Sequence, residues 1–159
     1  MGIEAPISKF RKNNLKLYAA FCLIFAIIFV YDGYLSKYQW SHRRSFYEEH
    51  VKEGKADDTM IFNRVVPFVL VAGAVFFMIR FGTVKDKKML AEDNNLFISD
   101  KERIPYDSIE KIDKTHFDSK GYFIITYKDK GGNKVNRKIS DKSYDNLAAI
   151  LEHLVAKIS

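Results

Sequence analysis

Long apolar stretches interrupt an otherwise mixed polar chain, and this pattern divides the sequence before any motif is considered. Two runs, LYAAFCLIFAIIFVY (17–31) and VVPFVLVAGAVFFMI (65–79), carry no charge over 15 residues each. Both are apolar on every face, unlike the striped helices that line a soluble core. As helix, 15 residues reach about 22 Å, short of the roughly 30 Å hydrocarbon layer, so flanking residues must be recruited. Leu15, Lys16, Tyr34 and Leu35 extend the first run; Met60 to Phe62 and Phe81 extend the second. Lys16, Arg64 and Arg80 would then reach toward head groups. The pattern predicts membrane helices over 15–35 and 61–82, and no other segment is large enough to enclose them as a soluble core. Positive residues precede the first run, as in a signal peptide. That run is long for such a peptide, and YDGYLSKYQW follows in place of a small-x-small cleavage site, so it reads as retained.

From Thr83 onward the period changes. MLAED (89–93) and LFIS (96–99) flank an Asn94-Asn95 turn, and KERIP (101–105) follows. EKIDKTHF (110–117), YFIITYK (122–128) and KVNRKIS (134–140) are separated by the turns DSKG and DKGG. Tyr122, Ile124 and Thr126 alternate with Phe123, Ile125 and Tyr127, which predicts antiparallel hairpins. A closing helix is expected from Tyr144 to Ile158, with Leu147, Ala148, Leu151, Leu154 and Val155 in its apolar stripe, Ser143 as its cap and Lys157 at its C-terminal end. Strands followed by one amphipathic helix make a small α+β domain over 83–159.

Charge sets an orientation. The net charge is +6. Residues 1–16 carry Lys9, Arg11, Lys12 and Lys16 against Glu4, whereas residues 17–64 hold six basic and six acidic side chains. A second basic flank, Arg80, Lys85, Lys87 and Lys88, follows the second run. The positive-inside rule then places both termini in the cytoplasm, with residues 1–14 as a basic tail. The same cations, Lys9, Arg11, Lys12, Arg80, Lys85, Lys87 and Lys88, are the candidates for contact with anionic inner-leaflet phospholipid.

Residues 36–60 form the segment expected outside. Trp40, Arg43, Phe46, Tyr47, His50 and Val51 fall near helical spacing and Gly54 suits a stop, so a short amphipathic helix is predicted there. Asp57, Asp58 and Thr59 offer caps for the helix that follows. Tyr31, Tyr34, Tyr38 and Trp40 read as an interfacial aromatic belt. Trp40, Arg43, Phe46 and Tyr47 are the candidates for contact with a partner protein. His42 and His50 stand eight apart, without the companions a metal site requires.

The order of opening strands, a strand ending in RIPYDSI, the GYFIITYKDKGGNKVNRKIS hairpin and the NLAAILEHL helix resembles a bacterial pleckstrin-homology-like (PH-like) domain over residues 83–159. Proteins of that group often carry a pair of transmembrane helices just before the domain. The resemblance implies a bent antiparallel sheet plugged by the helix, serving as a scaffold for lipid head groups, peptides or other subunits. It places anionic head groups near Lys85, Lys87 and Lys88.

Little in the chain suggests catalysis. Cys22 lies mid-span, and His116 and His153 have no serine or cysteine arrangement beside them. The basic residues of 83–159 alternate with acidic ones, which argues against nucleic acid. No cofactor or metal is expected. RIPYDSIEKIDK (103–114) reads as a corner between strands: Pro105 stops pairing, and Asp107 with Glu110 suits a capping box. The expectation is an accessory subunit or adaptor of a complex in a bacterial inner membrane, docking other membrane subunits through its domain and outer loop. The alternative is an inner-leaflet lipid- or ligand-binding module. The sequence sets no oligomeric state.

Overall fold

A computed structural model describes residues 2–99 and 102–158. In chain order the elements begin with β1 (Ile3–Pro6), α1 (Lys9–Val30) continued by a π-helical turn (Tyr31–Leu35), and α2 (Arg44–His50). A short hairpin follows, β2 (Val51–Lys52) and β3 (Lys55–Ala56), and then α3 (Asp58–Val84). Next come β4 (Lys88–Ala91), β5 (Asn95–Ser99), β6 (Glu102–Pro105), a 3₁₀ turn (Tyr106–Ser108) and β7 (Ile109–Asp113). The chain closes with α4 (Phe117–Lys120), β8 (Tyr122–Lys128), β9 (Lys134–Ser140) and α5 (Leu147–Ile158). Two compact units result: one joins the residues up to Asn13 with those from Gly82 onward, and the other is Asn14–Phe81.

The first unit is mixed helix and sheet. One antiparallel sheet has the order β1-β4-β5-β6 and another the order β7-β8-β9. Along β8, Phe123 and Ile125 face inward with Ile139 of β9, and Leu96, Ile104, Met89 and Ala91 contribute from the other sheet. Leu147, Ile150, Leu151 and Leu154 of α5 complete the core, as the apolar stripe requires. Each large aliphatic or aromatic side chain buried there is worth about 1.5–3 kcal/mol. Arg137 of β9 reaches Glu102 of β6 at 2.8 Å, tying the two sheets together, and the Tyr144 hydroxyl, in the turn before α5, donates to the Ile98 carbonyl of β5 at 3.1 Å.

Three sequence expectations change here. Residues 1–14 are not a tail: Ile3, Ala5 and Ile7 alternate with Glu4, Pro6 and Ser8, a strand period too short to stand out, and β1 takes an edge of the sheet against β4. Pro6 is tolerated because an edge position does not need its missing N–H. The domain therefore does not begin at 83. Second, α5 starts at Leu147, and Ser143 does not cap it; the Ser143 amide donates to the Ser140 carbonyl and the Ser143 carbonyl accepts from Ser8. Third, the corner at 105–110 has no capping box. Ser108 Oγ donates to the Pro105 carbonyl at 2.7 Å, while Glu110 is drawn to Lys134 and Lys128, which hold its carboxyl below the usual range. The expected strand at 101–105 is present as β6, with Lys101 outside the described residues. DSKG becomes the single turn α4, closed by Gly121 at φ 67°.

Two helices are long and apolar enough to span a membrane, Lys9–Leu35 and Asp58–Val84, each 27 residues, and the second unit takes in all but the Lys9 and Val84 ends of them. Both exceed the 15–35 and 61–82 limits expected, because α1 starts at Lys9 and α3 runs from the cap at Asp57 to Val84. The predicted amphipathic helix is α2; the β2–β3 hairpin was not visible in the pattern. Its turn places Glu53 and Gly54 at φ 53° and 76°, which Gly54 favours and Glu53 tolerates. At the end of the first long helix, the Ser36 amide donates to the Tyr31 carbonyl at 2.9 Å, the i to i+5 bond that defines the π turn.

Candidate functional site

The clearest concentration of unlike chemistry lies where β1 leaves the sheet and β4 enters it. Pro6 stands opposite Lys88 in the ladder, and the Ile7 amide donates to the Lys87 carbonyl at 3.0 Å. This pairing brings two basic groups, far apart in sequence, to one end of the domain. Lys9, Arg11 and Lys12 follow β1, and Lys85 and Lys87 precede β4. The side chains of Lys9, Lys85 and Lys87 are exposed and those of Arg11 and Lys12 half-buried.

Local chemistry fixes the geometry. Ser8 is buried, and its hydroxyl donates to the Lys142 carbonyl at 2.6 Å while accepting from the Arg11 amide at 3.1 Å. It is the N-cap of α1. Asp145 Oδ2 also accepts from the Lys9 amide at 3.2 Å, placing an anion at the positive end of the helix. The Asp145 amide donates to the Pro6 carbonyl, and Asn146 Nδ2 to the Glu4 carbonyl. The outer edge of β1 is thus held by the turn before α5.

The predicted lipid-contact residues do not all share this surface. Lys88 is engaged by the Glu4 carboxylate and is the least available. Lys85 stands 3.7 Å from Asp86, both exposed, a contact of little strength. Arg80 is exposed on α3, in the other compact unit. The backbone of Lys142 lies beside Ser8, a neighbour that sequence reasoning missed. Its tie is through its own carbonyl to Ser8, 134 residues away, a relation no local pattern records.

The candidate partner-contact loop has a different character. Arg43 grips Asp32 with two bonds, Nε at 2.9 Å and a terminal nitrogen at 3.2 Å, which raises the guanidinium pKa. Arg43 also lies over the Phe46 ring at 4.8 Å, and Phe46 lies against His50 at 4.4 Å. Tyr47 is covered by Arg44 at 5.3 Å. These residues brace one another. His50 Nδ1 is 2.7 Å from Asp57 Oδ2, and the other Asp57 oxygen accepts from the Met60 amide at 2.9 Å. His50 first, then Met60, holds the Asp57 carboxyl below its ordinary value. Trp40 is 65% exposed, stacked on Tyr38 with ring centres 5.6 Å apart and planes 9° from parallel.

Tyr106, His153 and His116 are each held in a structural contact. Tyr106 donates its hydroxyl to the Glu92 carbonyl at 2.7 Å, and burial pushes its pKa up to about 12. His153 Nε2 approaches the same carbonyl at 3.2 Å, and His116 packs against Tyr122. Among the described residues no group of three or more His, Cys, Asp or Glu side chains is placed to hold a metal ion. Open cavities of about 480 and 630 Å³ lie beside Tyr127 and Arg103, and beside Phe117 and Leu151. Comparison of the chain with protein-family models, curated proteins and solved structures gives no match.

Proposed function

We propose that the chain is a membrane-anchored, non-catalytic adaptor or accessory subunit, set in the inner membrane of a bacterium with both termini cytoplasmic. One observation carries the reading: β1, which precedes the first apolar helix, pairs with β4, which follows the last. A domain assembled around a hairpin in this way anchors binding surfaces at a membrane and needs no reaction to explain it. If both helices span, the pairing requires residues 3–6 and 88–91 to share one side, and the basic flanks favour the cytoplasmic side.

The domain serves as a PH-like scaffold in this reading. A four-stranded and a three-stranded antiparallel sheet with a C-terminal helix packed in the same core support that assignment, with β1 supplying the strand that residues 83–159 alone would lack. Structural engagement of His50, His116 and His153 supports a binding rather than a catalytic role. Extraction of the tagged full-length chain in a mild detergent, followed by mass spectrometry, tests the proposal. Other membrane proteins are expected at stoichiometric yield; a chain recovered alone sinks the adaptor reading.

A second reading, binding of anionic phospholipid, is favoured by the gathering of Lys9, Arg11 and Lys12 with Lys85 and Lys87. Each cation near an anionic surface contributes about 1 kcal/mol. Native mass spectrometry of the full-length chain would then show retained anionic lipid, reduced when Lys9, Lys85 and Lys87 are changed to Gln. Equal retention by the triple variant removes this reading.

A further inference from the structure

We propose that the domain is a built-in check on membrane insertion: it closes only when the strand before the first apolar helix and the strand after the last lie on one side of the membrane. The inference rests on the reading of both helices as membrane spans. It concerns what happens when one of them fails.

β1 is part of the core rather than an addition to it. Ala5 is 0% exposed and Ile7 2% exposed, and Ala5 stands opposite Met89, itself 0% exposed. One edge of β1 is bonded to β4, and its other side is bonded to the turn at 143–146. Removing the strand uncovers Met89 and Ala91 and leaves the Asp145 amide and the Asn146 side-chain amide without their acceptors. The half-buried Asp145 donor left unpaired, and an open strand edge, are both destabilising, whereas the exposed Asn146 amide turns to solvent.

The connections leave no slack. Only Ile7 and Ser8 separate β1 from α1, and only Lys85 to Lys87 separate α3 from β4. Two or three extended residues span roughly 7–11 Å, well short of a hydrocarbon layer of about 30 Å. A chain in which a single helix crosses therefore holds β1 and β4 on opposite faces, and no rearrangement of the linkers can join them. Correct insertion is the condition for folding, and a failed insertion exposes an open sheet edge and apolar core to degradation.

The test uses the full-length chain in its membrane, with Cys22→Ala and Met89→Cys to report on the core by thiol labelling. Phe21→Arg with Ile24→Arg is added to stop the first helix from inserting. Labelling of Gly2→Cys and Lys130→Cys, each introduced separately, reports which side each terminus occupies. With the termini on opposite sides, Met89→Cys is expected to label at least about tenfold faster than in the parent. A second copy of residues 2–8 is then fused after α5 through a short Gly/Ser linker. The ends are near one another: Lys157 meets Asp93 at 3.3 Å, and Gly2 lies beside Leu90 and Glu92. The added strand is expected to restore protection. Protection of Met89→Cys with the termini on opposite sides and no added strand overturns the proposal, as does failure of the added strand to restore it. Release of the parent chain by alkaline extraction would instead overturn the membrane reading on which it stands.

Discussion

Gly33 lies directly against the backbone of Asn63: a β-carbon at position 33 would sit 2.7 Å from the Asn63 carbonyl oxygen. Nearby, Arg64 Nε donates to the Gly33 carbonyl at 3.1 Å and the Tyr34 hydroxyl to the Arg64 carbonyl at 3.0 Å. Main chain meets main chain at this point, so the obstacle cannot be relieved by turning a side chain. Gly33→Ala should lower the thermal midpoint of the purified chain in detergent, at a cost of about 1–3 kcal/mol. An unchanged midpoint would mean that the two helices part there without penalty.

Gly121 combines two demands. Its φ of 67° is strained for any side chain, and an added β-carbon would collide with the Asp141 carboxylate. Asp141 is exposed and can move, so the backbone conformation should dominate. Gly121→Ala is expected to cost about 1–2 kcal/mol in denaturant unfolding of the full-length chain. Adding Asp141→Ala should recover only a minor share; full recovery would show that the collision was the whole effect.

Tyr106 gives a pH dependence with a defined window. Its pKa rises from 10.0 to about 12 in the fold, chiefly through burial, so the neutral phenol is the favoured folded form. Its stabilising contribution is complete below pH 10 and is lost as pH rises toward 12. Two pKa units correspond to an effect on the order of 2–3 kcal/mol. Alkaline unfolding, followed by circular dichroism, should be steeper over that window in the parent than in Tyr106→Phe. The variant should also lose about 1 kcal/mol at neutral pH, with the hydrogen bond to the Glu92 carbonyl. Parallel pH curves would contradict the assignment.

Trp40 is the sole tryptophan, which makes it a direct reporter of depth. It lies five residues past the end of the first long helix at Leu35 and stacks on Tyr38, a position that suits the lipid–water boundary. In proteoliposomes its emission should be quenched by lipids brominated close to the glycerol backbone and little affected by bromines near the chain ends. Quenching by water-soluble iodide alone would place it clear of the membrane.

What the sequence made legible follows from range. The apolar runs were plain because hydrophobicity sustained over 15 residues has few other readings, and YFIITYK with KVNRKIS was plain because strict alternation states its own period. The α5 stripe placed Leu147, Leu151 and Leu154 in the core correctly. β1 was missed because three apolar residues alternating with Glu4, Pro6 and Ser8 carry no statistical weight, and its partner lies beyond two helices. For the same reason Lys142 went unnoticed, and Lys88 looked as available as Lys85 until Glu4 appeared across the ladder. In the loop, the charges and rings of Arg43, Phe46 and Tyr47 suggested an outward surface. Their contacts with Asp32, His50 and Arg44 were not legible, because nothing in the local pattern shows that Asp32 faces Arg43.

The π turn at Tyr31–Leu35 has a geometric effect on everything after it. One extra residue in a single helical circuit rotates the following chain by about 100° about the helix axis relative to an uninterrupted α-helix. Ser36 is turned inward, fully buried, with its hydroxyl donated to the Asp32 carbonyl at 2.5 Å. Deleting one residue between 31 and 35 would let the helix close normally, yet it would swing Asp32 away from Arg43 or Trp40 away from its present bearing. The compass direction of the loop that follows is therefore set by a single surplus residue.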